Sequence, residues 1–246
     1  MNFLKLFEKP SLIAAHRGAR SVAPENTLKA LKMSLGHCDF IEIDVQLSKD
    51  YVPIIMHDDT LERTTNVKTL EQFKGRKPYF VHDFTFEELK LLDYGEGEPL
   101  LTLHTALSFI KENNFFINVE IKDAKSEFND EEVVERVLKE IIALKVEDRV
   151  LISSFRHEYL PLCKQILPNL ATAALVEDIH PQNVLEYLKK LGVEAYNMND
   201  ELVDKETVLK LKNAGFFVNV YTINDKKRQK ELFEMGINGV FSDFVL

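Results

Sequence analysis

The second half of the chain alternates helix-like and strand-like segments with a regularity that few folds accommodate. Apolar residues at helical spacing predict helices at 103–112, 131–144, 157–167, 182–191, 205–214 and 226–235. Each helix precedes a short run typical of a buried strand, at 115–122, 150–155, 171–176, 194–198, 217–222 and 239–242. Gly192, Gly215 and Gly236 each stand just past a helix, where a C-terminal cap favours glycine. Such alternation is typical of a parallel sheet covered by helices.

The first part of the chain adds two strands to this series. Residues 12–15 form a short apolar strand, and leucines at helical spacing follow up to Leu35. Gly36 ends that helix, and a β-prone run begins at Asp39. The resulting eight β units match the number that closes a parallel (β/α)8 TIM barrel of the α/β class. A doubly wound open sheet is the alternative, but no glycine-rich phosphate loop follows the first strand.

The segment after the second strand breaks the alternation. Between Val45 and the apolar run that begins at Pro53 there is room only for a turn, so we expect the chain to fold back beside the second strand. Residues from about 59 to 98 contain no clear strand–helix pair apart from a short helix at 86–92. We therefore expect one TIM-barrel domain over 1–246, with an insertion subdomain at 46–99 that covers one end of the barrel.

Composition excludes several classes of function. The net charge of -9 argues against a general nucleic-acid binder, which normally shows a basic face. The chain has no apolar stretch near the ~20 residues of a membrane helix. The apolar run at its start is too short for a signal peptide and is interrupted by charged residues. Cys38 and Cys163 are typical of buried free thiols in a reducing compartment. We expect a cytoplasmic protein, either a monomer or a homodimer, that inserts into no membrane.

The stretch from Asp39 to Asp58 carries the densest chemistry. Glu42 and Asp44 alternate with apolar residues, so both carboxylates project to the same side of a strand. The next apolar run leads directly to His57. By itself, the pattern also fits carboxylates on the solvated face of an edge strand. The barrel prediction favours a functional site, because active sites of this fold lie at the carboxyl ends of the strands.

Polar residues follow or end most of the predicted strands. They are His16, Arg17, Glu42, Asp44, Glu120, Lys122, Ser153, Ser154, Asn197, Tyr221 and Asp243. Three carboxylates at one barrel mouth would repel one another unless a cation neutralised them. Oxygen ligands favour one divalent cation, Mg²⁺ or Ca²⁺, with Mn²⁺ as a further candidate. His16 and His57 are alternative zinc ligands, but no cysteine or third histidine stands at a matching position.

The cationic residues of this set suit a phosphate diester. Arg17 offers a planar fork to phosphate oxygens, and Lys122 offers a point charge. His16 and His57 can act as base and acid across a P–O bond, because histidine changes charge near neutral pH. Gly18 is expected to let the backbone come close to a ligand. The remaining histidines are expected to have ordinary structural roles: His37, His82, His104, His157 and His180.

These residues, in this order, resemble the motifs of glycerophosphodiester phosphodiesterases. The motifs are His16-Arg17-Gly18, Pro24-Glu25-Asn26-Thr27, Glu42-x-Asp44, His57-Asp58, Arg63-Thr64-Thr65 and Glu120-x-Lys122, and the resemblance runs from Ile13 to Asp243. It implies a barrel with an insertion after the second strand. It further implies the following roles: Glu42, Asp44 and Glu120 as metal ligands, His16 and His57 as the acid/base pair, and Arg17 and Lys122 as phosphate ligands. The family usually has a tryptophan where Tyr221 stands, so Tyr221 is expected to line the substrate pocket and influence leaving-group preference.

The resemblance also implies a reaction. The expected activity is metal-dependent hydrolysis of small-molecule glycerophosphodiesters, such as glycerophosphocholine or glycerophosphoethanolamine, to sn-glycerol 3-phosphate and an alcohol. His16 is expected to be the base and His57 the acid, while the nucleophile is either water or the substrate's own glycerol hydroxyl. The alternatives are a related phosphodiester lyase that forms a cyclic phosphate, a non-catalytic barrel that binds a phosphodiester, and a barrel in which the metal is structural.

Overall fold

The computed structural model describes residues 2–124 and 126–246 and confirms the predicted barrel. The strands are β1 (Leu12–Ala15), β2 (Phe40–Leu47), β3 (Pro53–Ile55), β4 (Ile117–Ile121), β5 (Val150–Ser154), β6 (Ala171–Val176), β7 (Ala195–Asn199), β8 (Phe217–Tyr221) and β9 (Gly239–Ser242). All except β3 pair in parallel and in chain order. Because β1 pairs with both β2 and β9, these eight strands form a closed barrel.

The helices between the strands follow the predicted order. The α-helices are α1 (Phe3–Leu6), α2 (Leu28–Ser34), α3 (Phe86–Leu89), α4 (Leu103–Glu112), α5 (Asp130–Leu144), α6 (Tyr159–Ile166), α7 (Val184–Leu191), α8 (Lys205–Asn213) and α9 (Lys226–Met235). The side chain of Thr27 caps α2 and that of Thr102 caps α4, each accepting a hydrogen bond from a backbone N–H of the first turn. In the described part of the chain, no helix has the length and apolar character needed to cross a membrane.

The expected fold-back after β2 is confirmed. β3 pairs antiparallel with β2, with Val45 opposite Ile55. Between β3 and α4 the chain forms α3 and three 3₁₀ helices, Val67–Thr69, Glu71–Phe73 and Val81–Asp83. Their apolar side chains pack in a cluster of their own, separate from the main core. The boundaries 46 and 99 of the insertion, and the single domain over 1–246, stay predictions.

The barrel interior is apolar at one end and charged at the other. Along β2 the inward side chains are Phe40, then Glu42 and Asp44, so carboxylates replace aromatic rings toward the carboxyl end. Helix α1, which the sequence patterns did not predict, lies against the apolar end. There the ring of Phe3 packs edge-on against those of Phe40 and Phe116, with centroids 5.3 and 5.6 Å away. This packing covers the amino-terminal end of the barrel, whereas the charged end stays open.

Candidate active site

A cavity of about 540 Å³ opens at the carboxyl ends of the barrel strands. Its lining residues are His16, Arg17, Glu42, His57, Asn118, Glu120, Lys122, Ser153, Phe155, Leu175, Glu177, Tyr221, Thr222 and Phe241. Seven of the eight residues expected to form a site are among them. The eighth, Asp44, is 1% exposed and contributes a carboxylate oxygen to the cluster beside the cavity. The structure thus brings all of the predicted site residues together.

Three carboxylates form the centre of this site. Glu42 and Asp44 lie two residues apart on β2, and Glu120 on β4 is paired in register with Asp44. One oxygen from each of the three lies within 4.8 Å of the others. Burial, together with the charges of Asp44 and Glu120, raises the pKa of Glu42 well above its usual value. Burial also raises the pKa of Glu120, to about 7, against the opposing effect of Lys122. In the protein alone, the charged forms of Glu42 and Glu120 are therefore disfavoured.

The carboxylate cluster fits a hard divalent cation. The Oε1 atom of Glu42 is buried and has no hydrogen-bond partner among the described residues, while Oε2 accepts a hydrogen bond from the backbone N–H of Arg17 at 2.9 Å. A buried oxygen without a partner is costly unless a donor or a cation contacts it. Oxygen atoms from three carboxylates are the ligands that Mg²⁺, Ca²⁺ and Mn²⁺ prefer. Glu42, Asp44 and Glu120 are thus suited to hold one such ion.

Two cationic side chains border the carboxylates. The Nζ atom of Lys122 donates to Oε1 of Glu120 at 2.8 Å and lies 3.6 Å from Oδ1 of Asp44. The Nε atom of Arg17 lies 3.4 Å from Oδ2 of Asp44 and is buried, with no hydrogen-bond partner in the part of the chain that the structure describes. Both side chains line the cavity, so their remaining N–H groups can bind an anion there.

Gly18 packs closely against helix α2. Its φ of +77° is unfavourable for other residues, and a Cβ atom there would lie 2.8 Å from the Cβ of Ala30 in α2. Glycine is therefore required because the loop after β1 packs directly on a helix. Close approach of this loop to a ligand stays a prediction.

Each cavity histidine is held by a carboxylate. The Nδ1 atom of His16 lies 2.8 Å from Oδ1 of Asp243, and the Nδ1 atom of His57 lies 2.7 Å from Oδ1 of Asp58. A carboxylate at Nδ1 fixes the tautomer and the ring orientation, which leaves Nε2 as the nitrogen available for proton exchange. Burial lowers the pKa of His57, against the opposing effect of Asp44. Both rings line the cavity, so the site contains two oriented imidazoles.

Ion pairs join the carboxylates that hold the two histidines. Arg63 contacts both Asp58 and Glu25, each at 2.6 Å. Arg20 lies 2.9 Å from Glu25 and 3.4 Å from Asp243. Glu25 also accepts a hydrogen bond from Nη1 of Arg17 at 2.8 Å. Sequence patterns marked Glu25 and Arg63 only as motif residues, and nothing local connects either with Arg20.

The network around Glu25 should make stability depend on pH. Burial alone would raise the pKa of Glu25, but Arg63 and Arg17 lower it from 4.5 to about 2. Because the pKa is lower in the folded chain, Glu25 stabilises the fold above pH 4.5, and this contribution is lost as the pH falls toward 2. We expect Glu25→Gln to cost up to about 3 kcal/mol at pH 7 and progressively less in acid.

The measurement is denaturant unfolding of both proteins between pH 7 and the lowest pH at which each folds. Glu96→Gln is the matched control, because Glu96 pairs with Lys29 at the surface, where the two side chains are 59% and 42% exposed. The control should follow the wild-type profile. A difference between Glu25→Gln and wild type that stays constant with pH would contradict the assignment.

Several polar residues at the strand ends have structural roles instead. The hydroxyl of Ser154 donates to the carbonyl of Ile121 at 2.6 Å, and Asn197 accepts from the amide of Asn219 at 2.8 Å. The five histidines expected to be ordinary do not line this cavity. Two of them bond tyrosines: His157 lies 2.6 Å from the hydroxyl of Tyr187, and His180 lies 3.1 Å from that of Tyr196.

A closed parallel barrel with oriented imidazoles and two cationic side chains at its mouth is suited to an enzyme that cleaves phosphate esters. Residues 16–246 match the Glycerophosphoryl diester phosphodiesterase family. The chain therefore belongs to the glycerophosphoryl diester phosphodiesterase family, whose reaction is the hydrolysis of glycerophosphodiesters. The match includes every residue that the sequence placed in the site.

Individual relatives agree with the family. The chain is 35% identical to a glycerophosphodiester phosphodiesterase of Bacillus altitudinis over 243 residues, 94% of each chain. It is 34% identical to one of Caldanaerobacter subterraneus, covering 95% of this chain and 94% of the relative. Among solved structures it resembles an Oleispira antarctica phosphodiesterase in complex with the product sn-glycerol-3-phosphate. That match has a TM-score of 0.86 and 30% identity, and covers 97% of this chain and 95% of the other.

Proposed function

We propose that this enzyme hydrolyses glycerophosphodiesters such as glycerophosphocholine and glycerophosphoethanolamine to sn-glycerol 3-phosphate and an alcohol, with one divalent cation and two catalytic histidines. The observation that carries the proposal is the convergence in one cavity of a three-carboxylate cluster, two cationic side chains and two carboxylate-held imidazoles. The sn-glycerol-3-phosphate bound to the Oleispira antarctica phosphodiesterase supports the same product here.

The charged groups of the cavity bind the phosphate. Glu42, Asp44 and Glu120 would hold Mg²⁺, Ca²⁺ or Mn²⁺, which when bound would polarise the phosphoryl group and stabilise its negative charge. Arg17 and Lys122 bind the non-bridging phosphate oxygens, the first through a planar fork and the second through a point charge. Both cations are held in place by partly buried carboxylates, so they stabilise charge that develops on phosphorus without reorganising.

The two histidines move the protons. We assign His16 as the base, whose Nε2 takes a proton from the attacking hydroxyl of water or of the substrate's glycerol. We assign His57 as the acid, whose Nε2 donates a proton to the alcohol oxygen as its bond to phosphorus breaks. Asp243 and Asp58 hold the opposite ring nitrogens at 2.8 and 2.7 Å and stabilise each imidazolium when it forms.

Loss of a carboxylate that positions a histidine should slow the reaction with little effect on substrate affinity. We expect Asp243→Asn to lower kcat by about 10²-fold or more, because an amide can hold His16 in the wrong tautomer. Steady-state kinetics would measure kcat and KM separately, and Asp243→Glu should recover part of kcat. Asp204→Asn is the control, because Asp204 caps α8 away from the cavity and an asparagine can replace it as a cap. An unchanged kcat in Asp243→Asn would exclude this positioning role.

The products test the function directly. The enzyme would be incubated with glycerophosphocholine and each metal in ¹⁸O-labelled water, and followed by ³¹P NMR. We expect sn-glycerol 3-phosphate with one labelled phosphate oxygen. A cyclic glycerophosphate that accumulates without further hydrolysis would establish the lyase. Intact diester with every metal, despite measurable binding, would indicate a non-catalytic barrel.

A further inference from the structure

The cavity continues across the barrel from the reacting groups. The cation-binding and proton-transferring side chains lie on β2 and β4 and just after β1, β3 and β4, whereas the opposite wall lies at the ends of β5, β6 and β8. That wall includes Phe155, Glu177 and Tyr221. A diester held by its phosphate at the first wall would extend one of its two alcohol groups toward the second. The second wall is therefore where recognition of that alcohol group would take place.

Two aromatic rings form a fixed surface on this wall. Phe155 and Tyr221 pack edge to face, with ring centroids 6.0 Å apart and ring planes at 87°. The hydroxyl of Tyr221 donates to the carbonyl of Val176 at 2.5 Å. This hydrogen bond holds the tyrosine beside Glu177, the next residue in the chain. Phe155 is 38% exposed, so part of its ring faces the open cavity instead of protein. Such ring faces attract cations.

The residue after Val176 is Glu177, an exposed carboxylate at the same wall. It makes no hydrogen bond or ion pair within residues 2–124 and 126–246, unlike every other carboxylate that lines the cavity. Its negative charge acts on Tyr221, where burial and then Glu177 raise the pKa of the phenol. A negative charge beside open aromatic faces suits a positively charged ligand group and is unfavourable for an anionic one.

We propose that Phe155, Glu177 and Tyr221 form a subsite for a cationic alcohol group of the diester, such as the quaternary ammonium of choline. The subsite makes the enzyme prefer diesters of choline or ethanolamine over uncharged ones such as glycerophosphoglycerol. This inference rests on the proposed function, because it assigns the part of the substrate that leaves the same active site. Arg17 and Lys122 would contact the phosphate of all of these substrates. Selectivity between alcohol groups therefore depends on the opposite wall.

The test compares kcat/KM for glycerophosphocholine and glycerophosphoglycerol in variants of the full chain. We expect Glu177→Gln to lower the choline-to-glycerol ratio of kcat/KM about fivefold, because the variant removes the charge that attracts the cationic group. Phe155→Leu should lower the ratio by a similar factor. Asp178→Asn is the matched control, because it removes the same charge from the next residue, which does not line the cavity. A ratio near one in wild type, or equal changes in Glu177→Gln and Asp178→Asn, would overturn the subsite.

A second readout separates the subsite from the reaction. Choline binding would be followed by ligand-observed NMR in wild type, Glu177→Gln and Asp178→Asn. Saturable binding that only Glu177→Gln weakens supports the subsite, and absence of saturable binding to wild type refutes it. If no glycerophosphodiester is hydrolysed, the proposed function fails, and choline binding alone then decides whether the wall recognises a cationic group.

Discussion

We expect His16→Ala and His57→Ala each to lower kcat about 10²–10⁴-fold on glycerophosphocholine, with the fold and metal binding retained. Each ring lines the cavity and is oriented through Nδ1 by a carboxylate, so its removal deletes a proton-transfer group and leaves the carboxylate cluster in place. Steady-state turnover and metal titration of the same preparations would measure both effects. His104→Ala is the control, because His104 is an exposed partner of Glu140 outside the cavity.

The two histidine variants should respond differently to the leaving group. A diester whose leaving group is p-nitrophenolate needs no protonation of the departing oxygen, so it should restore much of the activity of His57→Ala. The same substrate should not restore His16→Ala, because the attacking hydroxyl still lacks a base. Near-normal kcat in either variant on glycerophosphocholine, with metal bound, would refute its assigned role. Rescue of His16→Ala and not of His57→Ala would exchange the two assignments.

The second large effect concerns the carboxylates. We expect Glu42→Gln to lower kcat/KM about 10³-fold or more, because the buried oxygen that suits a cation is replaced by a neutral amide. Thermal unfolding gives a readout apart from activity. Added Mg²⁺ or Mn²⁺ should raise the Tm of wild type, since a ligand that binds only the folded state stabilises it, and should have little effect on the variant.

In the absence of metal, Glu42→Gln should not lower the stability of the folded protein. Because Glu42, Asp44 and Glu120 repel one another at low exposure, the metal-free Glu42→Gln variant should be at least as stable as metal-free wild type. Glu140→Gln on the outside of α5 is the control and should retain both activity and the metal-dependent rise in Tm. An equal rise in Tm for wild type and Glu42→Gln would exclude Glu42 as a ligand.

Local rules of sequence account for most of the fold. The order of strands and helices was predictable because each helix carries an apolar stripe and each strand a compact buried run. Element ends were less accurate, since they depend on hydrogen bonds that periodicity does not encode. The strand predicted from 115 begins at Ile117, because the N–H of Phe115 still bonds the carbonyl of Ile110 at the end of α4. The helix predicted from 182 begins at Val184, because Asn183 is left-handed.

Helix α1 was not predictable from sequence periodicity. It spans only Phe3–Leu6, too short to present a periodic apolar stripe. Its place is set by contacts of Phe3 with Phe40 and Phe116, which come together only once the barrel has closed. The local signal for this short helix is its N-cap Asn2, whose side chain accepts a hydrogen bond from the N–H of Lys5, and one cap does not predict a helix.

Some residues of the site were predictable from the sequence, and others were not. Strand alternation alone predicts that Glu42 and Asp44 share a face, and the structure places them there beside Glu120. By contrast, Asp243 lies 227 positions from His16, and no local pattern joins them. The convergence of three arginines on Glu25 likewise depends on the closed barrel and the segment after β3. The orienting residues therefore became visible only in three dimensions.

The most direct test of the central claim is release of sn-glycerol 3-phosphate from glycerophosphocholine and glycerophosphoethanolamine by chelator-treated enzyme, before and after addition of Mg²⁺, Ca²⁺ or Mn²⁺. We predict that the chelated enzyme stays folded and inactive and that at least one of these ions restores product formation, whereas the Glu42→Gln variant stays inactive throughout. Full activity in the presence of chelator, or no product with any ion although the folded protein binds it, would contradict a metal-dependent glycerophosphodiesterase.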